Sequence, residues 1–337
     1  MGKIFCFGEL LLRYSPGSDG EWLNNNQVPV FLGGSEFNVA MALARWQLPV
    51  SYCTALPVNF LASEIEHFIK SKNIDTSHIR HAGKRIGSYY LQQDMDLKNS
   101  SVLYDRENSS FSELQPGMID WMSALSGVSW FHFSAISPAL NQNVAAVCKE
   151  GLEVASKKGI KISVDLNFRK SLWQYGRAAE EVMTGLVKYC DVVMGNIWSA
   201  KALLGIEVDE LIEHRDSLSY FRSSGFVGEI IQKQFSKCRL VANTFRIDDH
   251  EGIKYFAALH SGNMNYFSPE FFTSTFASKV GTGDCFMAAL IYGLYHHQPL
   301  QQVIDFAAAA AFGKLQELTD YTNQEIESIQ ETLNAYG

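Results

Sequence analysis

Two glycines followed by an aspartate, Gly281, Gly283 and Asp284, form the pattern with the clearest chemical meaning in this chain of 337 residues. The glycines predict a tight turn, and an apolar helix follows directly. Backbone N–H groups at such a turn point at one spot, and the helix dipole adds positive potential there. An aspartate beside this anion hole can take a proton from a hydroxyl while the amides hold charge developing on a phosphoryl group. A plain helix cap is the competing interpretation, and these residues alone leave the two level.

Polar residues after a buried strand form the second candidate group. Asp165, Asn167 and Arg169 alternate directly after the apolar segment 161–164, so they share one face of the strand or fan out at its end. A guanidinium there suits a carboxylate or a phosphate, because its fork binds either one bidentately. A structural Asp–Arg pair is the alternative, but three polar residues after an apolar strand favour function.

Three further positions carry weaker patterns. Asn38 follows the glycine pair at 33–34 and is able to exchange hydrogen bonds with a polyol, although a turn before a polar helix start explains it as well. Arg106 ends a predicted strand, where a surface salt bridge is an equal alternative. Asn196 ends another strand and would order a metal-bound water, although turn asparagines are commoner.

Composition and charge exclude several classes of function. The net charge is −8 and no Lys/Arg cluster interrupts it, which argues against a nucleic-acid partner or an anionic membrane surface. No apolar run reaches the length of a membrane span. The six cysteines are scattered without a C-x-x-C pair, so neither a zinc site nor a disulfide framework is predicted. Reduced thiols in a cytoplasmic protein fit best.

Strands and helices alternate along most of the chain, which predicts an α/β fold with a mainly parallel sheet and helices on both faces. Ligands bind such sheets at the carboxyl ends of the strands. Two β segments, at 87–92 and 101–104 with a polar turn at 98–100, interrupt the alternation and predict a small sheet that covers the site. Helices are predicted at 36–47, 62–71, 143–158, 177–189, 285–296, 301–315 and 323–333. Residues 218–225 are predicted to end another helix.

Taken together, these segments resemble the ribokinase-like carbohydrate kinase family, and within it the 2-keto-3-deoxygluconate kinases. The resemblance covers nearly the whole chain. It rests on the order and spacing of the segments at 8–16, 33–40, 87–89, 104–106, 130–133, 165–169 and 280–284. It implies one three-layer α/β domain over 1–337 and a β-sheet lid with strands from about 10–32 and 83–115. A sugar pocket is expected between the two.

The resemblance also implies roles for individual residues. Asp284 is the base that deprotonates the primary hydroxyl attacking the γ-phosphate of ATP, and the amides of the anion hole come from Gly281, Thr282 and Gly283. The residues implied to contact the sugar are Gly34, Asn38, Tyr89, Tyr104, Arg106 and Arg169, with the two arginines meeting the carboxylate of a sugar acid. The residues implied to face the nucleotide and its Mg²⁺ are Asn167, Asn196, Thr244, Arg246 and Lys279.

The sequence departs from the family pattern on the nucleotide side. Ser278 stands at the first Asp of the usual Asp-Thr-x-Gly-Ala-Gly-Asp, which puts a monovalent-cation site in doubt, and Lys279 is a candidate to replace that cation or to reach a phosphate. Ser199 replaces the Glu of Asn-x-x-Glu, which predicts weaker ordering of Mg²⁺. Ile247 and Gln47 are further departures.

Three functions follow as hypotheses. The first is an ATP-dependent kinase for 2-keto-3-deoxygluconate or a close relative. The second is a catalytically weakened, sugar-acid-binding regulatory protein on the same fold, because Ser199 and Ser278 alter the nucleotide side. The third is a kinase for a neutral sugar such as fructose. A homodimer is expected, since lid strands in this family pair between subunits and an aromatic edge at Tyr89 and Tyr90 would permit that pairing.

Overall fold

A ten-stranded sheet organises the computed structural model, which describes residues 2–16, 20–23, 26–92, 102–208, 216–248 and 250–336. The strands of the protein are β1 (Lys3–Phe7), β2 (Leu11–Tyr14), β3 (Val30–Gly33), β4 (Val50–Cys53), β5 (Ala55–Leu56), β6 (Ile74–Asp75), β7 (Arg80–His81), β8 (Gly87–Tyr90), β9 (Leu103–Asp105), β10 (Val128–Ser134), β11 (Lys161–Asp165), β12 (Val192–Gly195), β13 (Leu240–Asp248), β14 (Ile253–Ser261), β15 (Met264–Phe267) and β16 (Phe271–Thr273). The large sheet has the order β15-β14-β13-β12-β11-β10-β1-β4-β6, and β16 pairs with β14. Strands β13 to β6 in this order are parallel, and β14 to β16 are antiparallel.

Helices cover both faces of this sheet. They are α1 (Ser35–Arg45), α2 (Phe60–Ser71), α3 (Trp121–Ala124), α4 (Gln142–Lys157), α5 (Ala179–Val187), α6 (Ile197–Leu204), α7 (Ser217–Gln234), α8 (Thr282–Tyr295), α9 (Leu300–Lys314) and α10 (Ile326–Asn334). Strand β1 shows how the layers form. Ile4 and Cys6 pack in the core with α1, α8 and α9, whereas Phe5 and Phe7 pack in the core with α3 to α7. Since alternate side chains of a strand point to opposite faces, one buried strand serves both layers, and the α/β three-layer prediction is confirmed.

A separate four-stranded sheet has the order β3-β2-β8-β9. Strand β8 pairs with β2 on one side and with β9 on the other. The expectation of an aromatic edge at Tyr89 and Tyr90 is therefore wrong, because both residues lie on an inner strand. Among the described residues, the outer strands of this sheet are β3 and β9, whose Val30 and Leu103 are exposed. The predicted polar turn at 98–100, and Ser101, lie outside the described residues.

Several helix boundaries differ from prediction, and two of the differences have identifiable reasons. Helix α7 continues past the predicted end at Gly225 to Gln234. Its glycines allow close packing, since a Cβ at Gly228 would lie 2.6 Å from the ring of His260. Helix α8 begins three residues earlier than predicted, at Thr282, because Gly281 adopts the left-handed conformation that ends the preceding turn.

Two further sequence expectations concern cysteines and membrane spans. All six cysteines are free and buried. None of the helices in the described segments is both long and apolar enough to cross a membrane.

Candidate active site

Two adjoining cavities lie at the carboxyl ends of the parallel strands, where α/β sheets bind ligands. The large cleft has a volume of about 880 Å³ including its open mouth, and the small pocket about 480 Å³. Three residues line both cavities, namely Asn167, Arg169 and Asp284. The small pocket lies under the four-stranded sheet, which contributes Leu11, Tyr89 and Tyr104.

Every residue predicted for the site lines one of these cavities. The large cleft contains Asn167, Arg169, Asn196, Thr244, Arg246, Lys279, Gly281, Thr282, Gly283 and Asp284. The small pocket contains Gly34, Asn38, Tyr89, Tyr104, Arg106, Asn167, Arg169 and Asp284. The fold therefore separates the residues predicted for the sugar from most of those predicted for the nucleotide, and the predicted base lies where the cavities meet.

The Asp284 carboxylate is buried in the first turn of α8 and does not cap this helix, whose N-cap is Gly281. Its Oδ1 accepts a hydrogen bond of 2.7 Å from the Ser35 hydroxyl, and its Oδ2 accepts one of 2.7 Å from the Asn38 amide. Burial raises the pKa of Asp284 to about 6, although both hydrogen bonds and the charge of Arg169 oppose the rise. A carboxylate with a pKa near working pH suits general-base catalysis.

The start of α8 has the geometry predicted for an anion hole. Gly281 has a φ of 74°, and a Cβ there would lie 1.8 Å from the carbonyl oxygen of Asp320, so only glycine fits. As first-turn residues, Thr282, Gly283 and Asp284 have no acceptor within the helix for their N–H groups. These amides border the large cleft, where the helix dipole favours an anion.

Arg106 is already neutralised in the small pocket. Its Nε and Nη2 both lie 2.6 Å from Glu9 Oε2, and both side chains are buried. Glu9 Oε1 also accepts a hydrogen bond from the Ser109 hydroxyl. Sequence reasoning missed Glu9, although its position two residues after a buried strand was a signal. Arg106 and Glu9 therefore line the small pocket as an ion pair.

Arg169 is the guanidinium that both cavities share. Its Nη1 donates to the carbonyl oxygen of Phe168 at 3.0 Å. Its Nε is buried and has no hydrogen-bond partner in the described part of the chain. Arg169 also forms no ion pair with a described carboxylate, so it carries the charge best placed to meet an anionic ligand.

Tyr89 contributes its ring to the small pocket, while its hydroxyl points to a buried carboxylate. The Tyr89 hydroxyl donates to Asp320 Oδ2 at 2.6 Å, and Arg13 Nε donates to Asp320 Oδ1 at 2.7 Å. Burial raises the pKa of Tyr89, with the charge of Asp320 as the next cause. Asp320 lies in the irregular segment between α9 and α10, where no sequence pattern marks it.

Two other cations of the large cleft, Arg246 and Lys279, are both paired with Asp248. Arg246 Nε lies 3.0 Å from Asp248 Oδ1, and Lys279 Nζ lies 2.7 Å from Asp248 Oδ2. Asn196 uses its side-chain oxygen to cap α6 by accepting from Ser199 N at 2.8 Å. The turn interpretation of Asn196 is thus satisfied, and Asn196 also lines the cleft. Sequence reasoning missed Asp248.

The carboxylates of the cleft suit a magnesium ion that is held mainly by phosphates. No group of three His, Cys, Asp or Glu side chains in the described segments is arranged to hold a metal. Asp165 and Asp284 are buried carboxylates that line the cleft. Mg²⁺ typically takes one or two carboxylates together with substrate phosphates and waters, so this set fits it.

The proteins that this chain resembles in sequence and in structure are sugar kinases. The profile of the pfkB family carbohydrate kinases matches residues 1–224 and 250–327. The crystal structure of 2-dehydro-3-deoxygluconokinase from Thermotoga maritima superimposes with a TM-score of 0.89 at 31% identity, covering 99% of this chain and 100% of that one.

Two further relatives match nearly as much of the chain. A 2-dehydro-3-deoxygalactonokinase from Haloferax volcanii is 24% identical over 331 residues, which are 97% of this chain and 96% of the relative. A 5-dehydro-2-deoxygluconokinase from Clostridium tetani is 23% identical over 313 residues, which are 91% of this chain and 85% of the relative. All three similar proteins are named as kinases of keto-deoxy sugar acids.

Proposed function

Because this chain belongs to the pfkB family and is a carbohydrate kinase, we propose that it transfers the γ-phosphoryl group of ATP to the primary hydroxyl of 2-keto-3-deoxygluconate or a close relative. The observation that carries this proposal is Asp284, the buried carboxylate shared by two cavities. The acceptor class is supported by three similar proteins named for keto-deoxy sugar acids.

In the proposed reaction the small pocket holds the sugar acid and the large cleft holds the triphosphate. Asp284 accepts the proton of the primary hydroxyl of the sugar, while the oxygen of that hydroxyl bonds to the γ-phosphorus. The bond from that phosphorus to the bridging oxygen breaks, and ADP leaves with the electron pair. The amides of Thr282 and Gly283 then face the charge on the transferring group, where preorganised donors stabilise a transition state.

Magnesium would supply charge neutralisation on the phosphates in this reaction. Asp165, the last residue of β11, would hold it, and Asn196, which directly follows the adjacent strand β12, would order a metal-bound water. Ser199 offers a hydroxyl where the family pattern has a carboxylate, so weak metal binding is part of the proposal.

In this proposal Arg169 binds the carboxylate of the sugar acid, and Arg106 does not share this role equally. Arg106 has its charge matched by Glu9 within the pocket, whereas Arg169 has no ion-pair partner among the described residues. Glu9 in turn offers an acceptor for sugar hydroxyls. The same Glu9–Arg106 pair favours a second candidate, a kinase for a neutral sugar such as fructose, because it lowers the positive charge of the pocket.

A homodimer through the small sheet is part of the proposal. Among the described residues, the edge strands β3 and β9 pair with another strand along one side only, and exposed strand edges pair readily with other chains. Leu103 on β9 is 62% exposed and Val30 on β3 is 53% exposed. These apolar side chains would be covered if two small sheets paired.

The test is an ADP-release assay on four acceptors. They are 2-keto-3-deoxygluconate, 2-keto-3-deoxygalactonate, fructose and ribose, each with the parent and with Asp284→Asn. Turnover on a keto-deoxy acid that is lost in the variant supports the proposal. Turnover on fructose alone selects the neutral-sugar candidate. Sugar-acid binding by calorimetry without turnover on any acceptor would indicate a regulatory protein instead.

A further inference from the structure

Lys314 is a fully buried lysine that the proposed reaction does not use. It is the last residue of α9, and its side chain has 0% exposure. Its ammonium donates one hydrogen bond, of 3.2 Å, to the carbonyl oxygen of Glu317. It forms no ion pair with a carboxylate in the described segments. A buried ammonium without a close carboxylate is costly, so its retention needs a reason.

The Lys314 side chain lies directly behind the anion hole. A Cβ placed on Gly281 would lie 3.5 Å from Lys314 Cε. Gly281 lines the large cleft whereas Lys314 lines neither cavity, so Lys314 contacts the turn from the protein side. The segment leading into the turn is anchored at the same place, because Ala277 N and Ser278 N both donate to the carbonyl oxygen of Leu315.

The position behind the turn suits an ammonium group better than a bound metal cation. Burial lowers the pKa of Lys314, and the charges of Glu317 and Asp320 oppose only part of this effect. Ser278, which stands where the family pattern has an Asp, uses its hydroxyl oxygen to accept from Val280 N at 3.1 Å. The residues behind the turn therefore do not fit a monovalent cation, since Ser278 replaces the carboxylate of the family pattern and the Lys314 ammonium is present.

We propose that Lys314 is a built-in cation that positions the anion hole. Its ammonium supplies positive potential behind Gly281 and fixes the turn, so the amides hold the transferring phosphoryl group without a bound monovalent cation. Lys314 is a positioning residue, because it touches neither substrate. This inference rests on the proposed role of Asp284 and its turn, and it replaces the expectation that Lys279 acts as the substitute cation. Lys279 is instead paired with Asp248.

The first test uses the unaltered protein. Its kcat is measured with K⁺, Na⁺ or tetramethylammonium as the monovalent ion at constant ionic strength. The expected result is the same kcat in all three. A kcat that rises several-fold with K⁺ would overturn the proposal, and this result does not depend on the folding of any variant.

The second test compares Lys314→Met, Lys314→Ala and Lys314→Arg. The matched control is Lys157→Met, since Lys157 is the last residue of α4 but is exposed. We expect Lys314→Met to lower kcat by about tenfold to a hundredfold with little change in the KM of the sugar. Methylammonium should restore part of the kcat of Lys314→Ala, and Lys314→Arg should keep more activity than Lys314→Met. An unchanged kcat in Lys314→Met would refute the inference.

Asp284→Asn separates this inference from the proposed function. If Asp284→Asn stays fully active, the site itself is misassigned and both fail. If Asp284→Asn loses turnover while Lys314→Met keeps it, only the role of Lys314 fails. If no acceptor is turned over, the ratio of ATP to ADP affinity by calorimetry takes the place of kcat. A ratio that is unchanged in Lys314→Met then refutes the inference.

Discussion

At the scale of single residues, Asp284 is the buried side chain on which the proposed reaction depends. Its carboxylate accepts two hydrogen bonds, and the residue lines both cavities. Replacing it by Asn keeps the size and removes the base. We expect kcat to fall by about 10²–10⁴-fold, the typical contribution of general-base catalysis. Sugar binding measured by calorimetry should persist, because Ser35 and Asn38 can still bond to the amide. A variant with unchanged kcat would show that another group takes the proton.

The raised pKa of Asp284 predicts a pH dependence. Only the ionised carboxylate can accept a proton, so kcat/KM should be low below the pKa and should rise with pH through about 6. The direction of the pKa shift follows from burial, which favours the protonated form. The rise in kcat/KM therefore occurs above the pH range in which an aspartate ordinarily titrates. A profile of kcat/KM from pH 4.5 to 8.5 checks it, and a rise centred near 4 would contradict it.

Arg169 and Arg106 should respond differently to substitution. Arg169→Met is expected to raise the KM for a keto-deoxy acid by about tenfold or more, since a charge-assisted hydrogen bond contributes roughly 1.5–3 kcal/mol. It should barely change the KM for a neutral acceptor. Arg106→Met leaves the Glu9 carboxylate buried without its partner, so it should weaken both acceptors and lower stability. Equal effects of Arg169→Met on the KM of both acceptors would show that Arg169 does not bind the substrate carboxylate.

At the scale of elements, Asp320 connects the small sheet to the anion hole. It accepts from Arg13 on β2 and from Tyr89 on β8, and its carbonyl oxygen lies against Gly281. Asp320→Asn removes the charge that neutralises buried Arg13, so we expect a loss of about 3–5 kcal/mol of unfolding free energy. Asp105→Asn is the matched control, because its pair with Arg85 is partly exposed and should contribute about 1 kcal/mol or less. Urea unfolding of both variants checks the difference.

The turn at Gly281 gives a second prediction about an element. Gly281→Ala adds a Cβ that collides with Asp320, whereas Gly262→Ala has a similar φ, 58°, with no atom within 4 Å. Both variants carry the backbone strain of about 1 kcal/mol at a left-handed position. Only Gly281→Ala should also displace the anion hole and lower kcat sharply. Equal kcat values in the two variants would exclude a tight contact behind the turn.

At the scale of the whole molecule, the proposed dimer predicts an oligomeric state that depends on the edges of the small sheet. Leu103→Lys places a charge on the exposed edge strand β9 and should convert the dimer to a monomer, since a charged edge strand resists pairing. Leu218→Lys, on the exposed side of α7, should have no effect. Light scattering after size-exclusion chromatography gives the masses. A parent protein that is already monomeric would end the dimer proposal.

The sequence by itself determined the elements and the local chemistry. Buried strands, glycine turns and the helix after Asp284 are encoded over short distances, because apolar periodicity and glycine conformation act locally. The residues expected at the site therefore all line one of the two cavities, although other residues such as Glu9 line them too. Only the tertiary structure decided which side chains neutralise them. Glu9 pairs with Arg106 across 97 residues, and Arg13 pairs with Asp320 across 307.

The same distinction explains Lys314 and the small sheet. As a residue in an Ala-rich helix, Lys314 has no pattern that separates it from an exposed helix-ending lysine such as Lys157. Its burial follows from the packing of α9 behind the turn of α8. Likewise, the inner position of β8 depends on pairing with β2, more than 70 residues earlier. Burial and charge pairing are properties of the assembled chain, since they depend on which distant segments exclude water from a side chain.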